Sequence, residues 1–158
     1  MCIRDRYEMS YTIEKVYDSP TKTKTTVVLW VSRHPPLKAQ IEELEKRLGS
    51  IVVYQMSGMI PNAEVVAEEA VKLNAKYVIP VLPLSMIARL SEFAKTFTVL
   101  LARMNNIATT RDPNEARRLV NESPSSRTLA TYADGTVRVF EFERFERLLR
   151  IELVTEPF

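Results

Sequence analysis

Short apolar runs alternate with amphipathic stretches over the first two-thirds of the chain. The run Val27–Val31 is continuous and rich in β-branched residues, which is typical of a buried strand. The stretch after it has apolar residues on one helical stripe, at Leu37, Ile41, Leu44 and Leu48. Pro36 fits the first turn of this helix and Gly49 fits its end. The pattern therefore predicts a strand followed by a helix.

The same alternation repeats three more times. It predicts strands at residues 51–56, 76–82 and 97–104, and helices at 63–73, 86–95 and 112–122. Asn62, Ser85 and Asp112 are expected to cap these helices, with Pro113 in the first turn of the last one and Glu115 reaching back to its cap. A proline inside a central strand is costly, so Pro80 suggests that the third predicted strand is an edge strand.

The pattern changes near residue 126. Asp134-Gly135 stands between two alternating runs and predicts a β-hairpin, and "LLRIELVTE" (148–156) predicts a last strand. The predicted fold is thus α/β: a Rossmann-like, mostly parallel sheet with helices on both faces, plus a C-terminal antiparallel hairpin and strand. We expect a loosely packed arm or edge strand at 1–25, the α/β domain at 26–125 and its β extension at 126–158.

The composition of the chain excludes several kinds of binding site. The chain has 158 residues and a formal net charge of +2, so no strong field for duplex nucleic acid or membranes is expected. Its lone cysteine, Cys2, and lone histidine, His34, exclude a disulfide and make a zinc site unfavourable. Three glycines are too few and too scattered for a phosphate-binding glycine loop. No signal peptide or membrane span is visible, so a cytoplasmic setting without cofactor or metal is expected.

Polar residues concentrate in the loops that follow the predicted strands. These loops are "SRHPP", "SGMIPN", "PLS" and "MNNIATTR", whereas the loops at the other edge are short and featureless. Ligands of open parallel sheets bind beyond the carboxyl ends of the strands, where the strand order reverses. The simplest order, 3-2-1-4, places that reversal between the first and the fourth predicted strands.

This order makes the two loops beside the reversal the candidate site. Ser32, Arg33 and His34 would face Arg103, Asn105 and Asn106, with Ser57, Asn62, Ser85 and Arg89 completing a rim. Each residue also has a structural interpretation. Asn62 and Ser85 suit helix caps, Arg89 and Arg103 suit surface cations, and Ser32 and His34 suit a solvated turn.

The residue types favour one reaction class over others. The candidate loops lack the acidic residues that metal-dependent phosphoryl transfer requires, and the chain has no G-x-S-x-G elbow. Metal-independent cleavage of an RNA-like phosphodiester needs only alignment of the ribose 2′-hydroxyl, charge stabilisation and acid–base help. Ser32, Arg33 and His34 are the candidate catalytic residues for that chemistry.

The stretch "VVLWVSRHPPLKAQIEELEKRLG", with its Ser-x-His turn after a strand, resembles the small CRISPR-associated Rossmann-fold (CARF-like) proteins. The resemblance covers mainly residues 27–60 and extends in weaker form to residue 106. It implies an antiviral-defence protein that binds cyclic oligoadenylate as a homodimer. It also implies that Ser32, Arg33 and His34 contact ligand phosphate or ribose, opposite Arg103, Asn105 and Asn106. Without an effector domain, the chain would be a stand-alone degrader or a sequestering protein.

Three hypotheses remain open at this point. The chain is a metal-independent ring nuclease (a hydrolase), a non-catalytic nucleotide-binding sensor or sponge, or an α/β partner-binding domain without a small ligand. Whether the chain is an enzyme is therefore left undecided by the sequence.

Overall fold

The computed structural model describes residues 10–20 and 24–158. Residues 1–9 and 21–23 of the predicted arm, with Cys2, lie outside the described residues. The described residues form seven strands: β1 (Tyr11–Asp18), β2 (Thr26–Val31), β3 (Ile51–Gly58), β4 (Tyr77–Pro80), β5 (Thr98–Thr110), β6 (Arg127–Thr131) and β7 (Val137–Arg147). They also form four helices: α1 (Lys38–Leu48), α2 (Ala63–Lys72), α3 (Leu84–Glu92) and α4 (Pro113–Glu122).

The strands form a mixed sheet with the order β1-β3-β2-β4-β5-β7-β6, which confirms the predicted α/β class. Strands β3, β2, β4 and β5 are mutually parallel, and a helix connects β2 to β3, β3 to β4 and β4 to β5 along the chain. Strand β1 pairs antiparallel with β3, and β6 pairs antiparallel with β7. None of the helices in the described part of the chain has the length and apolarity needed to cross a membrane.

The chain divides into two compact units. The first unit contains residues up to 35, then 50–101 and 147–158, and the second contains 36–49 and 102–146. Strand β5 passes from the first unit into the second at residues 101–102. These boundaries differ from those expected at 25/26 and 125/126, because α1 groups with the later segment of the chain.

The core of the first unit lies between its parallel strands and helices α2 and α3. Alternate strand residues such as Leu29, Met56 and Val78 are fully buried and cluster with Val66 of α2 and Leu90 of α3. This follows from the period of two along a strand, which sends every second side chain to the same face. Truncating one of these side chains to alanine costs about 2–5 kcal/mol in a core of this kind.

The second unit has a smaller core of its own. Ala116 of α4 is buried against Val137 and Val139 of β7. Asp112 caps α4 as predicted, since its side chain accepts from the Asn114 amide at 2.9 Å. Strands β6 and β7 pair from Arg127↔Glu141 to Thr131↔Val137, around a turn that contains Gly135.

The predicted strand order 3-2-1-4 is wrong. With β2 as the first predicted strand, the observed order is 2-1-3-4, because β4 lies between β2 and β5.

The prediction that Pro80 marks an edge strand is also wrong, since β4 has a neighbouring strand on each side. The local hydrogen bonds explain why a proline fits there. The Val81 amide donates to Val31 at 2.8 Å, so the Pro80 nitrogen faces the β5 side. Pairing with β5 already ends at Val78, and the missing N–H of Pro80 therefore costs no ladder bond.

Other local predictions also need correction. Ser85 is the second residue of α3 and not its cap, because the amides of Met86 and Ile87 donate to Pro83. Helix α1 begins at Lys38, so Pro36 precedes its first turn. The Glu115 carboxylate bonds to Arg118 within α4. Residues 148–156 form no strand.

Candidate ligand-binding pocket

A cavity of about 320 Å³ lies at the carboxyl ends of β2, β3 and β4, entirely within the first unit. Three chain segments line it, each just beyond or at the end of a strand. The lining residues are Val31, Ser32 and Arg33 after β2; Met56, Ser57, Gly58, Met59 and Ile60 after β3; and Val81, Leu82, Pro83 and Met86 after β4. Three of the four polar loops expected to share one edge therefore meet.

This cavity occupies the topological switch point of the parallel strands. From β2 the chain crosses to β3 on one side, and from β3 it crosses back past β2 to β4. The connection after β2 leads to β3 on one side and the connection after β4 leads to β5 on the other, so the loops after β2 and β4 diverge and open a crevice between them. The structure thus places the reversal between β2 and β4, and not between β2 and β5.

The cavity has apolar walls with an accessible mouth. Val31 and Met56 are buried, whereas Met59 and Val81 are 74% and 60% exposed. The thioethers of Met56, Met59 and Met86 add polarisable surface that accepts aromatic rings well. Such walls suit the flat, apolar part of a ligand.

Gly58 allows the β1–β3 edge of the cavity to close. Its φ is +107°, and a Cβ at this position would lie 2.7 Å from the Ser10 carbonyl oxygen and 3.0 Å from the Tyr11 Cα. The neighbouring Met59 amide donates to the same Ser10 carbonyl at 2.9 Å. Any side chain here would push β1 away from the loop that lines the cavity.

Three hydrogen bonds fix the turn after β2. The Ser32 hydroxyl accepts from the His34 amide at 3.2 Å, and the buried Trp30 indole donates to the His34 carbonyl at 2.9 Å. From β3, the buried Gln55 amide donates to the Ser32 carbonyl at 3.0 Å. The backbone of residues 32–34 is therefore held by two strand side chains, Trp30 and Gln55, and by the Ser32 hydroxyl of the turn itself.

Arg33 is a free cation at this mouth. It is exposed and lines the cavity, and in the described chain no hydrogen bond or ion pair engages its guanidinium. His34 is exposed beside it but is not among the lining residues. The turn thus presents a charge to the cavity and keeps the imidazole at its margin.

The other predicted rim residues serve mainly structural roles. Asn62 caps α2 by accepting from the Val65 amide at 3.0 Å, as predicted. Arg89 bonds to Glu64 at 2.9 Å and also to Glu92, and its guanidinium lies 4.7 Å from the Phe93 ring centre. Hydrogen bonds from its own backbone and from Arg89 lower the pKa of Glu64.

Of the two serines that were predicted at the rim of the site, one lines the cavity and the other does not. Ser57 lines the cavity, with its hydroxyl 3.4 Å from that of Thr12. Ser85 is exposed in the first turn of α3 and is not a lining residue.

Arg103 lies within β5, and so do Asn105 and Asn106, which had been expected in the loop after this strand; all three belong to the second unit. Arg103 faces Glu143 at 3.9 Å and Glu146 at 3.8 Å, both on β7. Asn106 donates to Thr109 at 3.3 Å, and Asn105 is exposed. The predicted adjacency of β5 and β2 is wrong, since β4 separates the two strands in the sheet.

The donor set suits binding of an anion better than metal chemistry. Of the described lining residues, only Arg33 is charged, and no carboxylate is present. Within residues 10–20 and 24–158, no group of three or more His, Cys, Asp or Glu could hold a metal ion.

Sequence reasoning missed the apolar members of the cavity, above all Gly58, Met59, Leu82 and Met86, as ligand-facing residues. Their positions in the sequence could have indicated them. Gly58 and Met59 lie in the polar loop "SGMIPN", and Leu82 and Met86 flank the polar loop "PLS".

Comparison with protein-family models, with curated proteins and with solved structures found no significant match. The interpretation of the cavity therefore rests on its geometry.

Proposed function

We propose that this chain binds a nucleotide of the cyclic oligoadenylate class in the cavity and holds it without cleaving it. The observation that carries the proposal is Arg33, which among the described residues has no partner and is the one charged residue lining the cavity at the switch point of the sheet. A nucleotide offers a matching combination of an apolar ring and an anionic group.

The walls fit the base. A volume of about 320 Å³ lies at the low end of the roughly 300–1,000 Å³ common among ligand pockets. It has room for one nucleoside unit and not for a ring of several. Stacking against Met59 or Met86 would place thioether sulfur beside the base, a favourable contact worth about 0.3–1.5 kcal/mol.

The mouth fits the phosphate. A guanidinium forms bidentate hydrogen bonds with phosphate oxygens, and the hydroxyls of Ser32 and Ser57 line the same cavity. Helix α3 begins directly after Pro83, a lining residue, so the positive end of its dipole also lies at this edge. These groups together favour an anion.

The size of the cavity indicates how many copies of the chain a cyclic oligoadenylate would need. A ring of several adenylates would need more than one such cavity, which agrees with the homodimer implied by the CARF-like resemblance. The homodimer and the cytoplasmic setting stay predictions, as do the Rossmann-like description of the sheet and the role in antiviral defence.

Ring-nuclease activity is the second candidate, and the His34 turn favours it. Two hydrogen bonds fix the backbone of His34 next to Arg33, so its imidazole could reach a phosphodiester bound at the mouth. Arg33 would stabilise charge on the phosphorane, and His34 would supply acid–base help without a metal.

The decisive experiment is titration with cyclic tetra-adenylate and cyclic hexa-adenylate in EDTA, followed by chromatography of the ligand. Our proposal expects saturable calorimetric binding and recovery of intact rings. Linear products would instead establish the nuclease, and the absence of binding to either ring or to adenosine monophosphate would refute both.

A matched pair of tryptophan variants tests the location of the site. Val81 lines the cavity mouth and Val71 lies on α2 outside it, with similar exposures of 60% and 62%. Val81→Trp should abolish binding by filling the cavity, whereas Val71→Trp should leave the affinity unchanged. Equal affinities in the two variants would place the ligand elsewhere.

His34→Ala separates the two candidates. The imidazole is exposed and is not a lining group, so the variant should keep its affinity under both. Only the nuclease predicts slower cleavage in this variant.

A further inference from the structure

The segment after β7 exposes aliphatic side chains. Leu149, Leu153 and Val154 are 84%, 92% and 86% exposed, and Ile151 is 36% exposed. The segment is nevertheless anchored at its start, because the Leu148 amide donates to the Val99 carbonyl at 2.9 Å and its side chain packs against the core of the first unit. A cluster of exposed aliphatic groups this close together marks an interaction surface.

The sequence of this segment has the period of a strand. Leu149, Ile151 and Leu153 alternate with Arg150 and Glu152, so a strand would place the aliphatic groups on one face and the charges on the other. Arg150 and Glu152 already lie together, with Nε and Oε1 3.1 Å apart. The segment thus has the composition of a half-buried strand but no strand partner in the described chain.

We propose that this segment pairs with the same segment of a second copy of the chain, as antiparallel strands centred on Ile151. In this register Ile151 lies opposite Ile151 of the second copy, and Leu149 lies opposite its Leu153. Arg150 lies opposite Glu152 of the second copy, and the two-fold symmetry repeats this ion pair.

Charge complementarity selects this register. Moving one strand by two residues puts Arg150 against Arg150 in one direction and Glu152 against Glu152 in the other. Moving it by one residue puts aliphatic side chains opposite charged ones. An in-register parallel pair also places like charges side by side. The sequence therefore specifies one self-pairing and disfavours its neighbours.

The paired segments present the aliphatic side chains of both copies on one face, which removes them from water more fully than either chain alone. The inference goes beyond the proposed function, since it concerns no residue of the cavity. The oligomeric state of the protein in the absence of any nucleotide tests this inference.

Sedimentation of the full-length protein tests the dimer. We expect a particle of twice the 18.2 kDa chain mass, and dissociation to the monomer in Ile151→Lys. Val71→Lys, an exposed substitution on α2, should remain dimeric and serves as the control. A monomeric wild-type protein, or a dimer that survives Ile151→Lys, would overturn the proposal.

A charge swap tests the register. Arg150→Glu and Glu152→Arg should each weaken the dimer about tenfold, since each puts like charges opposite one another twice. The double variant restores both pairs and should recover the wild-type affinity. Additive losses in the double variant would rule out this register.

Cysteine cross-linking gives a second test of the register, in a Cys2→Ser background. Directly opposed strand residues have Cα atoms about 4.5–5.5 Å apart, within the range that a disulfide spans. Ile151→Cys should therefore oxidise to a covalent dimer, whereas Leu153→Cys, which lies four residues from its own symmetry mate, should not. Equal cross-linking of the two variants would contradict the pairing.

Discussion

Arg33 of the first unit and three arginines of the second unit have different surroundings. In the second unit, Arg103, Arg118 and Arg127 each lie within 4.0 Å of two carboxylates, and Arg127 also donates to the Leu119 carbonyl at 2.9 Å. In the first unit, Arg33 has no such partner among the described residues. A guanidinium already held by carboxylates has little to offer an anion, so the availability of a cation matters more than its presence.

The same contrast occurs within the first unit. Arg89 was expected at the rim of the site together with Arg33, but it bonds to Glu64 and Glu92. Acidic residues one turn away on the same helix, or on a neighbouring helix, neutralise an arginine. Arg33 is not neutralised in this way, because its turn contains no acidic residue and is followed by two prolines. The local absence of acidic partners is therefore the better sequence signal for a binding arginine.

The largest effect is expected at Gly58, which lines the same cavity as Arg33 and lies against β1. Gly58→Ala should lower the free energy of unfolding by about 2–3 kcal/mol, because it adds a backbone clash to an unfavourable φ. The Cβ would lie 2.7 Å from the Ser10 oxygen. Urea unfolding measures the loss.

Gly49→Ala is the matched control for that change. Gly49 also has a positive φ, +78°, but a Cβ added there would have no neighbouring atom within 4 Å. It should lose only the backbone part, about 1 kcal/mol. Equal losses in the two variants would show that the approach of β1 to the cavity loop is unimportant.

Local patterns predicted the elements well, and long-range pairing poorly. The buried runs and the caps Asn62 and Asp112 depend on neighbours in sequence, so they could be derived from it. The order of strands could not, because it depends on pairing between segments that are far apart in the sequence. The sequence predicted that polar residues gather at the carboxyl ends of the strands, but not which of these loops are neighbours. Arg103 was therefore assigned to the site, although its carboxylate partners lie on β7, about 40 residues later in the chain.

Arg33→Ala and Arg103→Ala test the comparison directly. Loss of Arg33 should weaken nucleotide binding about 10- to 100-fold, the range for a charge-assisted hydrogen bond of about 1.5–3 kcal/mol. Arg103→Ala should leave the affinity unchanged, because Glu143 and Glu146 occupy its guanidinium. Calorimetry measures both, and a larger loss for Arg103 would reverse the assignment of the site.

A smaller effect is expected from the amide that holds the Arg33 turn. Gln55→Met keeps the volume but removes the bond to the Ser32 carbonyl, and should cost about 1 kcal/mol of stability. Gln40→Met is the control, since this buried amide bonds to the Leu37 N–H in the second unit at 2.7 Å. Both should lose similar stability, but only Gln55→Met should weaken ligand binding. If both leave the affinity intact, the turn does not need Gln55.

The smallest effect concerns a carboxylate that pairs with an arginine in the second unit. The Arg118 guanidinium lowers the pKa of Glu115 below its ordinary value of 4.5, chiefly by hydrogen bonding. A carboxyl with a lowered folded pKa contributes stability above its ordinary pKa and loses that contribution as pH falls through the folded value. Because both groups are exposed, the effect on unfolding should be slight, and NMR titration of the carboxyl is the suitable measurement. Arg118→Ala should return the midpoint of Glu115 toward 4.5 and leave that of Glu64, which is lowered by its backbone and Arg89, unchanged. An ordinary midpoint for Glu115 in the intact protein would mean that Arg118 is as free in solution as Arg33, and the contrast between these two arginines would then disappear.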